Sequence, residues 1–173
     1  MCIGGSLTRT FTLPLSVSNY TPDEPVDVLL IEDNPGDVRL TKEAFRSTNT
    51  DIEFHVLTDG EAASKHLRSC AADADAADDD TDVDVPDLVL LDLNLPRVDG
   101  FSILETLSAE FDHPPPPVLV LSSSEAREDV VESYERAANA YLSKPDDPAE
   151  FTSMARAIEE FWIDSAQHPP APS

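Results

Sequence analysis

Five short apolar runs punctuate this chain, and the segments between them carry apolar residues at helical spacing. The runs are Val26-Asp27-Val28-Leu29-Leu30-Ile31, residues 52–57, Leu88-Val89-Leu90-Leu91, Val118-Leu119-Val120-Leu121 and Ala140-Tyr141-Leu142-Ser143. Each is strand-sized and closed by a turn signal, which reads as a buried strand. Ile52, Phe54 and Val56 also alternate along one side of theirs. Between the runs, Val38, Thr41, Ala44 and Phe45 share a helix face that begins after the Asn34-Pro35-Gly36-Asp37 turn. A second helix follows Asp59-Gly60 to about Cys70, presenting Ala62, Ala63, His66 and Leu67. A third covers 101–111 with Leu104, Leu107 and Phe111, and ends at four consecutive prolines, 114–117. A fourth is expected over 125–137. The fifth, over 148–163, aligns Phe151, Met154, Ala155, Ile158, Phe161 and Trp162.

Strands that alternate with helices specify a parallel sheet covered on both faces, an α/β fold. Right-handed crossovers then leave few topologies, of which the flavodoxin-like, doubly wound order 2-1-3-4-5 is expected. Three segments fall outside this scheme. Residues 1–25 have almost no acid and three prolines, and read as a poorly ordered extension, with an added edge strand as the alternative. Residues 71–86 hold seven aspartates among alanines and read as a mobile acidic insert. That insert lacks the glycine and closing glutamate of a calcium loop. Residues 164–173 read as a tail.

Charge narrows the function. The formal net charge is −24, with 35 acidic against 11 basic residues. Such a chain repels nucleic acid, and its acids are spread rather than gathered in a tail, a distribution that suits a salt-rich cytoplasm. No apolar run approaches the ~20 residues that span a bilayer. Two cysteines make no disulfide framework, in keeping with a reducing compartment. A soluble, cytoplasmic, halophilic protein is expected.

In such a sheet, chemistry gathers beyond the carboxyl ends of the strands. Glu32-Asp33 closes the first strand, Asp92 the third, Ser122 the fourth and Lys144 the fifth. Carboxylates brought together repel unless a cation holds them, and hard oxygen donors suit Mg²⁺. A carboxylate nucleophile, a divalent ion, a hydroxyl and an ammonium together describe phosphoryl transfer onto aspartate. Each residue alone has a plainer reading: a solvated strand end, a turn-forming serine, a surface lysine, a core tyrosine at 141. Their coincidence at four strand ends does not. His55, His66, His113 and His168 show no ligand spacing.

With these residues in place, the chain over about 26–163 resembles the receiver domain of two-component response regulators. The resemblance rests on Glu32-Asp33, on Asp92 followed by Pro96 and Gly100, on Ser122, Tyr141 and Lys144-Pro145. The stretch from Glu32 through Thr41, and Ile158-Glu159-Glu160-Phe161-Trp162 near the end, is similar to the stand-alone regulators that partner phytochrome-type histidine kinases. The resemblance implies that Asp92 accepts phosphoryl from a sensor kinase's phosphohistidine. Asp33 and Asp92 would ligate Mg²⁺ directly, with the Asn94 main-chain carbonyl, and Glu32 through water. Lys144 and Ser122 would hold the phosphoryl oxygens, and Tyr141 would move inward. Serine stands at 122 where the family more often has threonine.

Two other classes are weighed against this one. An aspartate-nucleophile phosphatase needs a second aspartate two residues after the first, where this chain has Asn94. A constitutive interaction module has no need of the complete acidic set. Little follows Lys144 beyond one helix, so output is expected through a partner rather than through an enzymatic or DNA-binding domain. Phe161 and Trp162 are turned by ~100° on a helix and cannot both face one core. One is expected at the rim of a symmetric homodimer formed by the fourth helix, fifth strand and fifth helix.

Overall fold

The computed structural model describes residues 24–75, 85–111 and 114–165. The elements are β1 (Val26–Ile31), α1 (Pro35–Phe45), β2 (Ile52–Leu57), α2 (Gly60–Asp75), β3 (Leu88–Leu91), α3 (Gly100–Glu110), β4 (Val118–Ser122), α4 (Arg127–Glu135), β5 (Ala140–Ser143) and α5 (Pro148–Ile158). All pairings are parallel and the sheet order is β2-β1-β3-β4-β5, as expected. Among the described residues no helix is long and apolar enough to cross a membrane.

Because side chains alternate across a strand, each central strand feeds two cores. Leu29, Ile31, Val89, Leu91, Val118 and Val120 pack on one face with Ala63 and Leu67 of α2 and with Ile103, Leu104 and Leu107 of α3. Val28, Leu30, Leu88, Leu90, Leu119 and Leu121 pack on the other with Ala44 and Phe45 of α1 and Phe151, Ala155 and Ile158 of α5. Strands buried on both faces must be apolar throughout, which is why they read as continuous runs.

Caps set the helix starts. The Asn34 side chain accepts from Gly36 N and Asp37 N, with Pro35 in the first turn, and Asp147 accepts from Ala149 N and Glu150 N, with Pro148 behind it. Three helices differ from their expected bounds by two residues or more. α2 continues five residues past Cys70, through alanines that favour helix and with Ala71 buried against the core. α4 is shorter than 125–137 at both ends. Ala126 is extended, Ser124 Oγ accepts from its amide, and Ala137 adopts a positive φ of 74° that ends the helix. The last helix gives way at Glu159 to a π-helical turn, Glu159–Ile163.

That turn alters the fate of the apolar face expected on the fifth helix. Phe151, Ala155 and Ile158 are buried and Trp162 packs at the core margin, but Phe161 is 60% exposed. Buried Glu159 ties the turn down: its Oε1 accepts from Asn49 N, Thr50 N and Thr50 Oγ1 at 2.8, 2.8 and 2.7 Å. Most of the expected extension over 1–25, of the acidic insert over 71–86 and of the tail over 164–173 lies outside the described residues.

Candidate functional site

Backbone ladders carry the strand ends to one edge. Glu32 N donates to Leu57 O at 3.0 Å, Asp92 N to Ile31 O at 2.9 Å, and Lys144 N to Ser122 O at 2.9 Å. These bonds align the first residue past β1, β3 and β5, and three of the expected site residues meet there. Carboxylate oxygens of Glu32, Asp33 and Asp92 lie within 4.8 Å of one another. Glu32 and Asp92 are buried, at 3% and 5% exposure, whereas Asp33 faces solvent.

Lys144 spans the same cluster from the far side of the sheet. Its Nζ stands 2.6 Å from Glu32 Oε2, 2.9 Å from Asp37 Oδ2 and 3.1 Å from Asp92 Oδ2. Burial alone lowers an ammonium's pKa, but hydrogen bonds to Glu32 and Asp37, with the field of Glu32 and Asp92, prevail and hold Lys144 well above its ordinary range. Glu32 is raised above its ordinary 4.5. Burial drives it up, and Lys144 and the Asn34 N–H only partly pull it back. Four carboxylates thus gather at this edge, and three of them, Glu32, Asp37 and Asp92, contact the one ammonium.

An all-oxygen donor set with surplus negative charge and one open side fits a hard divalent cation. Glu32, Asp33 and Asp92 are the residues that could hold it.

The β3–α3 loop orients the central carboxylate. Asn94 N donates to Asp92 Oδ1 at 3.1 Å, leaving Oδ2 to Lys144. Gly100 lets α3 start against this loop. A Cβ there would meet Leu93 Cα at 2.6 Å and the Asp92 carbonyl at 2.7 Å.

Ser122 ends β4 at this edge and Tyr141 lies within β5, and their side-chain hydrogen bonds among the described residues run to the β4–α4 loop rather than to the carboxylates. Ser122 Oγ, fully buried, accepts from Ser124 N at 3.2 Å, and Tyr141 Oη donates to the Ser124 carbonyl at 2.7 Å. Ser124 Oγ in turn donates to Asp129 Oδ2 at 2.5 Å, which pins the loop to α4. Sequence reasoning passed over Asp37, treating it as part of a turn. Its position in the first turn of α1, one helical turn after Asp33, was the available signal.

A buried aspartate, an acidic cluster and a lysine at the carboxyl edge of a 2-1-3-4-5 sheet define a class of phosphoryl-accepting switch domains. The family model described as response regulator receiver domain matches residues 28–156, and the chain belongs to that family. Among similar proteins is the response regulator Rcp1 of Synechocystis sp., 35% identical over 147 residues, which are 85% of this chain and 95% of Rcp1. The crystal structure of the phosphorylated cyanobacterial phytochrome response regulator RcpA superposes with a TM-score of 0.71. It is 33% identical and covers 85% of this chain and all of RcpA. The Mn²⁺-bound form of Rcp1 gives a TM-score of 0.69 at 34% identity, covering 84% of this chain and all of the Rcp1 structure.

Proposed function

We propose that this protein is a stand-alone response regulator whose Asp92 takes a phosphoryl group from a sensor histidine kinase of the phytochrome type. The observation that carries the reading is the pairing of Asp92 with Lys144 inside the acidic cluster, at the carboxyl edge of the sheet. An Asp92 carboxylate oxygen attacks phosphorus, and the P–N bond of the kinase's phosphohistidine breaks with its electron pair returning to the imidazole. The Lys144 ammonium shifts its ion-pair contact from Asp92 Oδ2 to a phosphoryl oxygen. Ser122 Oγ accepts from Ser124 N and keeps its own proton for the same group. Asp33, Asp92 and the Asn94 carbonyl would hold a Mg²⁺ ion, with Glu32 acting through water, and the ion would supply positive charge against the phosphoryl oxygens. The Mn²⁺-bound form of Rcp1 and the phosphorylated state of RcpA support a divalent cation and a phosphoryl group as the ligands of such a domain.

Incubation with Mg²⁺ and acetyl phosphate should add one phosphoryl group by intact mass, acetate leaving. Asp92→Asn should abolish the gain, and an unchanged yield in that variant refutes the assignment. Steady hydrolysis of phosphate monoesters would instead favour a phosphatase.

Output passes through α4, β5 and α5. Tyr141 of β5 bonds the loop that Ser122 anchors, so a phosphoryl group that draws on Ser122 also bears on Tyr141. Val131, Tyr134 and Phe161, at 47%, 52% and 60% exposure, leave apolar surface on α4 and past α5. A symmetric homodimer there accounts for it. Sedimentation at molar salt should show a dimer that Phe161→Asp disrupts, and a strict monomer with and without phosphoryl excludes it.

A further inference from the structure

Lys144 is held by three carboxylates, and they are not equivalent. Glu32 and Asp92 belong to the cluster whose oxygens lie within 4.8 Å of one another, and Asp37 does not. On the proposed reading, Glu32 and Asp92 must redirect their oxygens when cation and phosphoryl arrive, so two of the three ion-pair contacts that fix the ammonium are surrendered during the reaction. Asp37 has no such second duty. It is also rigidly mounted, because the Asn34 side chain accepts from Gly36 N and Asp37 N and Pro35 fixes φ in the first turn of α1.

From this juxtaposition we infer that Asp37 is a positioning residue for phosphoryl transfer. Its 2.9 Å contact keeps the Lys144 ammonium at the phosphoryl site while Glu32 and Asp92 change partners. A lysine side chain has four rotatable carbons and an ammonium that otherwise follows the nearest charge. Without Asp37 it settles between Glu32 and Asp92, on the nucleophile itself. The inference rests on Asp92 being the phosphoacceptor, and it adds a residue outside the expected set.

The test uses the full chain with Mg²⁺ and acetyl phosphate, following phosphoryl gain by intact mass. Asp37→Ala should slow it by at least about threefold and by up to about a hundredfold, the scale of losing orientation without losing the group. Asp37→Asn, which keeps an acceptor oxygen, should lose less and guards against an alanine variant that fails to fold. In a Lys144→Ala background, removing Asp37 should change the rate by less than about twofold, because Asp37 acts only through Lys144. If that background reacts too slowly to measure, the ranking Asp, Asn, Ala in the presence of Lys144 decides. Calorimetric Mg²⁺ affinity of Asp37→Asn should stay within about threefold of the parent, since Asp37 lies outside the cluster. Equal rates for parent and Asp37→Ala overturn the inference. So does the same loss with and without Lys144, or a tenfold weaker Mg²⁺ site. A parent chain that gains no phosphoryl group at all overturns the Asp92 assignment as well, which separates the two failures.

Discussion

Replacing Lys144 by methionine keeps the side chain's length and removes its charge, leaving Glu32 and Asp92 buried without a counter-ion. Raw Coulomb energies at 2.6–3.1 Å overstate the loss, since desolvation opposes them. A firmer bound comes from the way out the site has: one carboxyl can take up a proton. Neutralising Glu32 at pH 7, from its ordinary 4.5, requires 2.5 pH units at ~1.36 kcal/mol each, or about 3 kcal/mol. At pH 5 the same step requires only about 0.7 kcal/mol. The sign follows from linkage. Glu32's folded pKa lies above its unfolded value, more so without Lys144, so the stability tied to the protonated form is kept at low pH and lost as pH rises. With ~2–4 °C per kcal/mol for a chain of this size, Lys144→Met should melt about 6–12 °C below the parent at pH 7. The gap should shrink to about 1–3 °C at pH 5, with metal chelated and salt held at 1 M throughout. Excess Mg²⁺ should raise the variant's melting temperature more than the parent's, because the cation replaces the missing positive charge. A deficit equal at both pH values, or one below about 1 kcal/mol at pH 7, refutes the view that Lys144 compensates buried charge.

Three further outcomes are expected. With a net charge of −24, the melting temperature should climb from 10 mM to molar KCl as the Debye length falls from ~30 to ~3 Å, and a flat profile counts against self-repulsion and the halophilic expectation. Gly100→Ala should destabilise the domain by about 1–3 kcal/mol in urea titrations and slow phosphoryl gain, because its Cβ meets the Leu93 and Asp92 backbone rather than a movable side chain. A phosphorylation rate equal to the parent's would show that the loop gives way freely. Burial first, then the stacked His55 ring 4.7 Å away, lowers the His66 pKa, so its neutral form is tied to the fold and stability is lost as pH drops below 6.5. His66→Gln should therefore lose less melting temperature between pH 7.5 and 5.5 than the parent, and parallel curves would contradict this.

The strands were legible residue by residue because a doubly covered parallel sheet demands unbroken apolar runs of limited length. Leu88-Val89-Leu90-Leu91, closed at once by Asp92 and then by Pro96, is too short for a buried helix and the right length for a strand. The carboxyl edge was legible for the same reason: a residue that closes such a run has only one place to go once the topology is parallel. The meeting of Glu32, Asp33, Asp92 and Lys144 could thus be anticipated from three separated segments. For Asp37 the sequence offers only its place in the first turn of α1, where an aspartate points to solvent or inward depending on how α1 packs across the sheet. For Phe161 and Trp162 the ~100° between neighbours told that one of them leaves the core, but only the tertiary structure decided which: Trp162 packs at the core margin and Phe161 is exposed, on the π-helical turn whose Glu159 caps the Asn49-Thr50 backbone. Local pattern settles which residues must leave water. The direction of a side chain at a helix end, and the partner of a buried charge, depend on contacts across a hundred residues of chain, which exist only once the sheet has assembled.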